Sequence, residues 1–330
     1  MVVTSFSRSI PIIFGRLEVN YFFEVLLMKK TITADIFSTP QGTTITTPTG
    51  QIILDPQQGA DCSQAKLIII TSLTTNSVLF DPQPLPCPLY ISQELFTLLQ
   101  KLTATDLLPP LKHHLKIIPY TYPLHHDGWT ITAKANEDGL YGALVLLLTG
   151  PDQQKIGYCF RFDQGGIHNK RIKKWKKWLK ASNISYLLLG QSMFSNEPTP
   201  LMTYRGWQKH LTKLLAATTT TTTFAINPWK IDQVLQLAKT AQQHHFNVTW
   251  QPPFAPVIAY YQAHSFVAPA NIAEPIANLV QVATQPDWDF RQQTSPNILN
   301  QLAVQPQQLG PADQQQFMAY FAPAQIVFLP

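Results

Sequence analysis

Strand-length apolar blocks dominate this chain. Ala143 to Leu148 is one and Ile156 to Phe162 is a second, with Thr149-Gly150-Pro151-Asp152 between them. Glycine and proline turn the chain there and the aspartate bonds its own backbone, so the stretch predicts a buried β-hairpin. Leu67 to Ile70 and Tyr186 to Leu189 are blocks of similar length. Thr31 to Phe37 and Thr43 to Thr47 alternate and are rich in β-formers, which predicts paired strands. Gln51 to Leu54 adds another strand and stops at the turn signal Asp55-Pro56. Lys116 to Tyr120 and Trp129 to Ala133 are short strands, the second opening after the turn His126-Asp127-Gly128.

Helical spacing interrupts these blocks. Ser92 is placed to cap a helix through Leu102, with Leu95, Leu98, Leu99 and Leu102 on one face. Lys170 to Lys180 puts Ile172, Trp175, Trp178 and Leu179 on one face and Lys173, Lys174, Lys176, Lys177 and Lys180 on the other. From Leu201 the texture changes. A helix over Trp207 to Ala217 leads into the threonine run Thr218 to Thr223, which continues through Ile226 as a strand. Asn227-Pro228 caps a helix from Trp229 to His244, and Asn247 to Trp250 is the next strand. This β-α-β order predicts a second, smaller α/β domain. Beyond Pro252 the chain is rich in Pro and Gln and shows no clear period. Pro311 to Phe321 is the last helix and Gln325 to Leu329 the last strand.

Composition narrows the class. Of the 330 residues, 45% are apolar, ample for a core, while only 13% are charged, so Thr, Gln and Pro carry the surface polarity. A net charge of +5 permits anionic partners without demonstrating one. No uncharged apolar stretch reaches membrane-spanning length. Cys62, Cys87 and Cys159 are scattered and odd in number, which fits buried thiols in a reducing, cytoplasmic setting better than a disulfide framework. Arg16, Glu18 and Glu24 break up the apolar N-terminus. Residues 1–27 are therefore read as an extension outside the fold, with Met28 as the natural start.

Candidate chemistry is sparse. No phosphate-cradling GxxxxGK[ST], GxGxxG or GxSxG motif is present. Ser192 follows a buried strand but has no partnered His and Asp. His113-His114 and His125-His126-Asp127 are tempting ligand clusters, yet both fall on surface turns. His244-His245 ends a helix, where an imidazolium suits the dipole.

The order of elements resembles the metallo-β-lactamase fold, and more narrowly the β-CASP nucleases similar to ribonuclease J. The likeness rests on four stretches: Leu67 to Ser77, Gly139-Leu140-Tyr141-Gly142-Ala143, Tyr158 to Gly166, and Gly310 to Pro330. It implies a four-layer αββα sandwich over residues 28–204, a β-CASP-like insertion over 205–300, and a return to the sandwich over 301–330. In such nucleases histidines and carboxylates hold two metal ions, zinc or manganese, and a bridging water. Here the His-x-His-x-Asp-His positions fall on Thr71, Leu73, Thr75 and Asn76. The third histidine falls on Asp138, or on Glu137 if the register shifts, and the bridging aspartate falls on Arg161. The late histidine falls near Gln308. Threonine, leucine and asparagine do not replace imidazole on zinc, and a permanently charged guanidinium repels a cation.

The resemblance therefore implies a degenerate site with no bound metal or other cofactor. Arg161 is expected to pair with Asp138 or Glu137, filling the charge deficit that a missing cation leaves. The expected role is non-hydrolytic, as a scaffold for RNA or a protein partner. The alternative is a metal-dependent hydrolase or RNA exonuclease with an unconventional site built on Glu137 and Asp138. Seven of the eleven residues from Lys170 to Lys180 are Lys or Arg, enough to attract phosphates. Lys173, Lys174, Lys176, Lys177 and Lys180 are thus candidate RNA contacts. As a plain solvated helix face, the same lysines would carry no function.

Overall fold

Two mixed sheets carry the molecule. The first holds β1 (Lys30–Thr33), β2 (Ile36–Thr39), β3 (Gly42–Thr47), β4 (Gly50–Leu54), β5 (Ala65–Ile69), β6 (Leu89–Ile91) and β7 (Leu115–Ile117), side by side in chain order. β1 to β4 pair antiparallel and β4 to β7 parallel. The second begins with β8 (Leu124–His126), β9 (Trp129–Ala135), β10 (Leu144–Thr149) and β11 (Lys155–Cys159), an antiparallel meander. It is extended in parallel by β12 (Tyr186–Gly190) and then β16 (Gln325–Leu329). The computed structural model describes residues 30–33, 35–74, 77–120, 122–190, 204–216, 222–226, 229–250, 252–264, 277–283 and 309–329. The extension 1–27, Thr75, Asn76, Ser192 and Gln308 lie outside the described residues.

The sheets pack face to face through alternate residues. Ile52, Leu54, Leu67 and Ile69 of the first meet Leu144, Leu146, Leu148, Ile156 and Leu188 of the second in one buried cluster. The intervening residues face outward and are covered as well. Ile53 and Ile68 join a cluster with α1 (Gln93–Ala104), while Val145 and Leu187 join one with α2 (Asn169–Ala181) and α6 (Pro311–Phe321). Strands buried on both faces need apolar side chains at every position, which explains the unbroken runs. The result is the αββα sandwich of metallo-β-lactamase type.

A smaller unit leaves the sandwich after β12 and returns at β16. It contains α3 (Tyr204–Ala216), β13 (Thr222–Ile226), α4 (Ile231–Gln243), β14 (Phe246–Trp250), α5 (Ala255–His264) and β15 (Ala277–Ala283). Its three strands form a parallel sheet with β15 in the middle. Ile231, Val234, Phe254, Ile258 and Tyr261 share the cluster that covers α1 and the outer face of the first sheet. Phe80 stacks on Trp229 at 5.6 Å between ring centroids. Among the described residues, no helix is long and apolar enough to cross a membrane.

Several boundaries differ from the sequence expectation. The first predicted strand is split between β1 and β2, which pair with each other. The helix expected from Trp229 starts at Ile231, with Lys230 as its cap residue, so Trp229 and Lys230 belong to the connection before it. α5 and β15 were not predicted, because both fall beyond Pro252 where the chain showed no clear period.

Candidate functional site

The candidate site gathers at the ends of β4, β5, β9 and β11. β4 ends at Asp55, which adopts a left-handed φ of 48° and is 2% exposed. Its carboxylate accepts the backbone N–H of Thr71 at 2.6 Å, that of Ser72 at 3.2 Å and the Tyr158 hydroxyl at 3.0 Å. The Thr71 hydroxyl also donates to it. Burial pushes this carboxyl up to about 6, and the four hydrogen bonds oppose that rise. Asp55 thus fixes the segment after β5, and the Thr71 hydroxyl is spent on it. Leu73 is buried in the α1 cluster as an ordinary core residue.

β9 runs into Asn136, Glu137 and Asp138. Asp138 accepts the Ser72 hydroxyl at 2.5 Å and the Leu140 N–H at 2.9 Å. Arg161, just beyond β11, brings Nη2 to 3.7 Å from Asp138 Oδ2 and donates to Ser72 Oγ at 3.4 Å. Ser72 therefore bridges the two charged groups. The Arg161 backbone is held in turn, since its carbonyl accepts Asn136 Nδ2 at 2.7 Å and Asn136 Oδ1 accepts the Trp175 indole N–H at 2.9 Å.

Glu137 does not pair with Arg161. One of its oxygens accepts the Gly139 N–H at 2.9 Å and the other the His168 N–H at 2.6 Å, at the cap of α2. Burial raises this carboxyl to about 7 against those bonds. Gly166 makes room for it, because a Cβ there would stand 2.5 Å from Glu137 Cγ. Asp163 is buried and accepts the Gly165 N–H at 2.8 Å. Burial raises its carboxyl, while Lys230 and Arg161 pull it down. Burial, followed by Arg161, lowers the Lys230 ammonium, and Asp163, Asp138 and Glu137 oppose this. His168 Nε2 lies 2.9 Å from Asp232 Oδ2 of α4. Between the units is a cleft lined in part by Glu137, Tyr141, Lys230 and Asp232, with about 10 Å³ of space, enough for roughly one water.

These residues do not fit a binuclear metal centre. Of the positions that the resemblance aligns with metal ligands, Arg161 carries a guanidinium beside Asp138, Leu73 is a core residue and the Thr71 hydroxyl already donates to Asp55, and none of the three offers a cation a ligand. Among the described residues, no three His, Cys, Asp or Glu side chains are grouped to hold an ion.

The other candidates sit elsewhere. His113 Nε2 bonds to the Asp81 carbonyl at 2.8 Å, and His125 Nδ1 to Thr130 Oγ1 at 3.1 Å. His126 lies 3.7 Å from Asp127, whose carboxylate accepts the Thr47 hydroxyl at 2.7 Å. His244 caps the end of α4. α2 buries Ile172, Trp175 and Leu179 and exposes Lys173, Lys174, Lys177 and Lys180. Lys176 corrects the expectation of a uniformly solvated basic face. It is partly buried, its ammonium 4.6 Å from the Phe317 ring centroid and 4.8 Å from that of Tyr320, and burial lowers its pKa. The helix sequence alone did not show α6 lying beside it.

Sequence reasoning did not identify Asp55, Ser72, Asp163, Lys230 or the His168–Asp232 pair as site residues. Asp55 was visible only as a turn signal, and the others carry no motif.

No protein-family profile and no curated protein sequence matches this chain. Its structure is similar to that of a protein of unknown function from Enterococcus faecalis V583, with TM-score 0.61 and 15% identity over 87% of this chain and 90% of that one. It is more distantly similar to a Cronobacter sakazakii metallo-β-lactamase with a HARLDQ motif (TM-score 0.36, 15% identity, 49% of this chain and 77% of that one). A β-lactamase from Chitinophaga pinensis is at a like distance (TM-score 0.37, 14% identity, 49% and 77%).

Proposed function

We propose that this chain is a metal-independent, non-hydrolytic protein of metallo-β-lactamase fold and ribonuclease J-like, β-CASP type, which works in the cytoplasm as an RNA-binding scaffold. The observation that carries the reading is the Arg161–Ser72–Asp138 network, which supplies a fixed positive charge at the strand edge where a hydrolase of this fold needs an ion. The hydrolytic alternative would need Glu137 as a base. Glu137 lines the cleft, but both of its oxygens already accept backbone N–H groups, which commits it to holding the loop together.

RNA is favoured over a protein partner by α2. Lys170, Lys173, Lys174, Lys177 and Lys180 recur at helical spacing on its exposed side, with no carboxylate within 4 Å of these lysines among the described residues. An uncompensated lysine row attracts phosphates through counterion release. The test is incubation of labelled single-stranded RNA with the purified protein, with and without added manganese or zinc. Salt-dependent retention of full-length RNA is expected. Metal-dependent shortening would establish the hydrolytic reading instead, and no retention at low salt would transfer the case to a protein partner.

A further inference from the structure

We propose that the RNA-binding face read above for α2 continues across the outer side of β9, where Lys134 is a further phosphate contact and Trp178 the residue that positions it. The inference rests on that reading. Along β9, Trp129, Ile131 and Ala133 are buried toward the first sheet, so Thr130, Thr132 and Lys134 point the opposite way, all three half-buried. Their partners on β10 are Thr149, Leu147 and Val145. Val145 and Leu147 pack in the cluster beneath α2 and α6, so the helical cover of the second sheet thins from β10 to β9. The exposed His125 of β8 bonds to Thr130 at 3.1 Å and widens this polar shelf. None of β8, β9 and β10 carries a carboxylate.

The two sides of α2 differ. Arg171, Lys174 and Trp178 share the side toward β9 at helical spacing. Arg171 Nη1 donates to the Asn136 carbonyl just beyond β9 at 3.4 Å, and the Lys134 ammonium stands 4.5 Å from the Trp178 ring centroid. The exposed Lys174 lies between those two contacts. On the other side, the Lys176 and Lys180 ammonium groups stand over the Tyr320 ring at 4.8 and 4.5 Å, and α6 brings Asp313 and no basic residue. The positive surface therefore extends toward β9 and stops at α6. Among the described residues no carboxylate lies within 4 Å of Lys134, so its charge is free to meet a phosphate. The ring already orders the ammonium, so less side-chain freedom is lost on binding than at an unsupported lysine.

The test is binding of labelled single-stranded RNA by the full chain across a salt series, as parent, Lys134→Gln, Lys134→Arg, Lys116→Gln, Trp178→Leu, and Trp178→Leu with Lys134→Gln. Lys134→Gln is expected to weaken binding about threefold near physiological salt and to lower the slope of log affinity against log salt by about 0.7, the single-strand value for one phosphate. Lys134→Arg and Lys116→Gln should match the parent, Lys116 being an exposed lysine on β7 of the other sheet. Trp178→Leu should weaken binding in the parent and add nothing in Lys134→Gln. A parent-like Lys134→Gln, beside a loss of affinity on reversing Lys173, Lys174 and Lys177, overturns this inference and leaves the reading of α2 standing. Equal losses in Lys134→Gln and Lys116→Gln overturn it too, since they report net charge alone. A Trp178→Leu effect undiminished in Lys134→Gln overturns the positioning role. No retention by the parent at low salt overturns the inference together with the RNA-binding reading.

Discussion

Arg161 Nη2 stands 3.7 Å from Asp138 Oδ2, and Ser72 bonds to both side chains. The Asp138 side chain is fully buried while Arg161 keeps 23% exposure. The carboxylate therefore depends on the pair more than the guanidinium does. Leaving a buried charge unpaired costs about 3–5 kcal/mol, and solvent at Arg161 lowers the figure here to about 1–3 kcal/mol. Arg161→Ala should destabilise by that amount in urea unfolding. Arg161→Asp should destabilise more, because it sets a second carboxylate beside Asp138, and it should create no nuclease activity. Cleavage of RNA by Arg161→Asp would show that one ligand suffices to rebuild a working site.

Part of this site was legible and part was not. The Arg161–Asp138 contact followed from two positions where charge type departs from a nuclease pattern, because opposite charges brought to one sheet edge must pair or be solvated. Glu137 looked like an equal partner for Arg161. It bonds backbone instead, since Gly139 and His168 offer it N–H groups, and backbone donors carry no side-chain signature. The sandwich was legible because strands covered on both faces must be apolar throughout, as Leu144 to Leu148 are. The cleft that Lys230 and Asp232 help to line was not, because it depends on where the inserted unit docks, and docking is set by scattered contacts such as Phe80 on Trp229. Lys176 shows the same limit from the other side, since its exposure is decided by Phe317 and Tyr320 of α6.

Asp55 gives a pH dependence of definite sign. Its carboxyl is raised from 3.8 to about 6 in the folded chain by burial. Between those values the folded state holds more protons than the unfolded state, so stability falls as pH rises through the window and is flat above it. The loss is on the order of 3 kcal/mol at about 1.4 kcal/mol per unit. Asp55→Asn keeps an oxygen for the Thr71 and Ser72 N–H groups, and its amide donates to the hydroxyls. The stability difference between parent and variant, followed from pH 3.5 to 7 by urea unfolding, should slope against the parent as pH rises. A flat difference curve would show that Asp55 titrates normally.

The lysine row predicts a graded loss of RNA affinity. Lys173→Glu, Lys174→Glu and Lys177→Glu together should weaken binding at least tenfold and flatten its salt dependence, with little change in thermal stability, because all three are exposed. Lys176→Glu should behave differently. Its ammonium sits over the Phe317 and Tyr320 rings, so reversal removes two cation–π contacts and lowers the melting temperature along with affinity. Equal stability in both variants would mean that Lys176 is no more engaged with α6 than its neighbours are.

Chelation provides the sharpest division between a metal-independent protein and a hydrolase of this fold. In a binuclear enzyme the ions neutralise a knot of ligands, and binding to the folded state alone stabilises it by mass action. Removing the ions then exposes those ligands to one another. Here the Thr71 hydroxyl donates to Asp55, Leu73 is core, Asp138 has Ser72 and Arg161, and Asp163 has the Gly165 N–H. None of these groups gains a partner from an added ion. Thermal melts with excess chelator, with added zinc and with added manganese should therefore overlay at constant pH. A drop of several degrees in chelator, reversed by zinc or manganese, would place a ligand set in this chain that the Arg161–Asp138 network does not replace, and the hydrolytic reading would then follow.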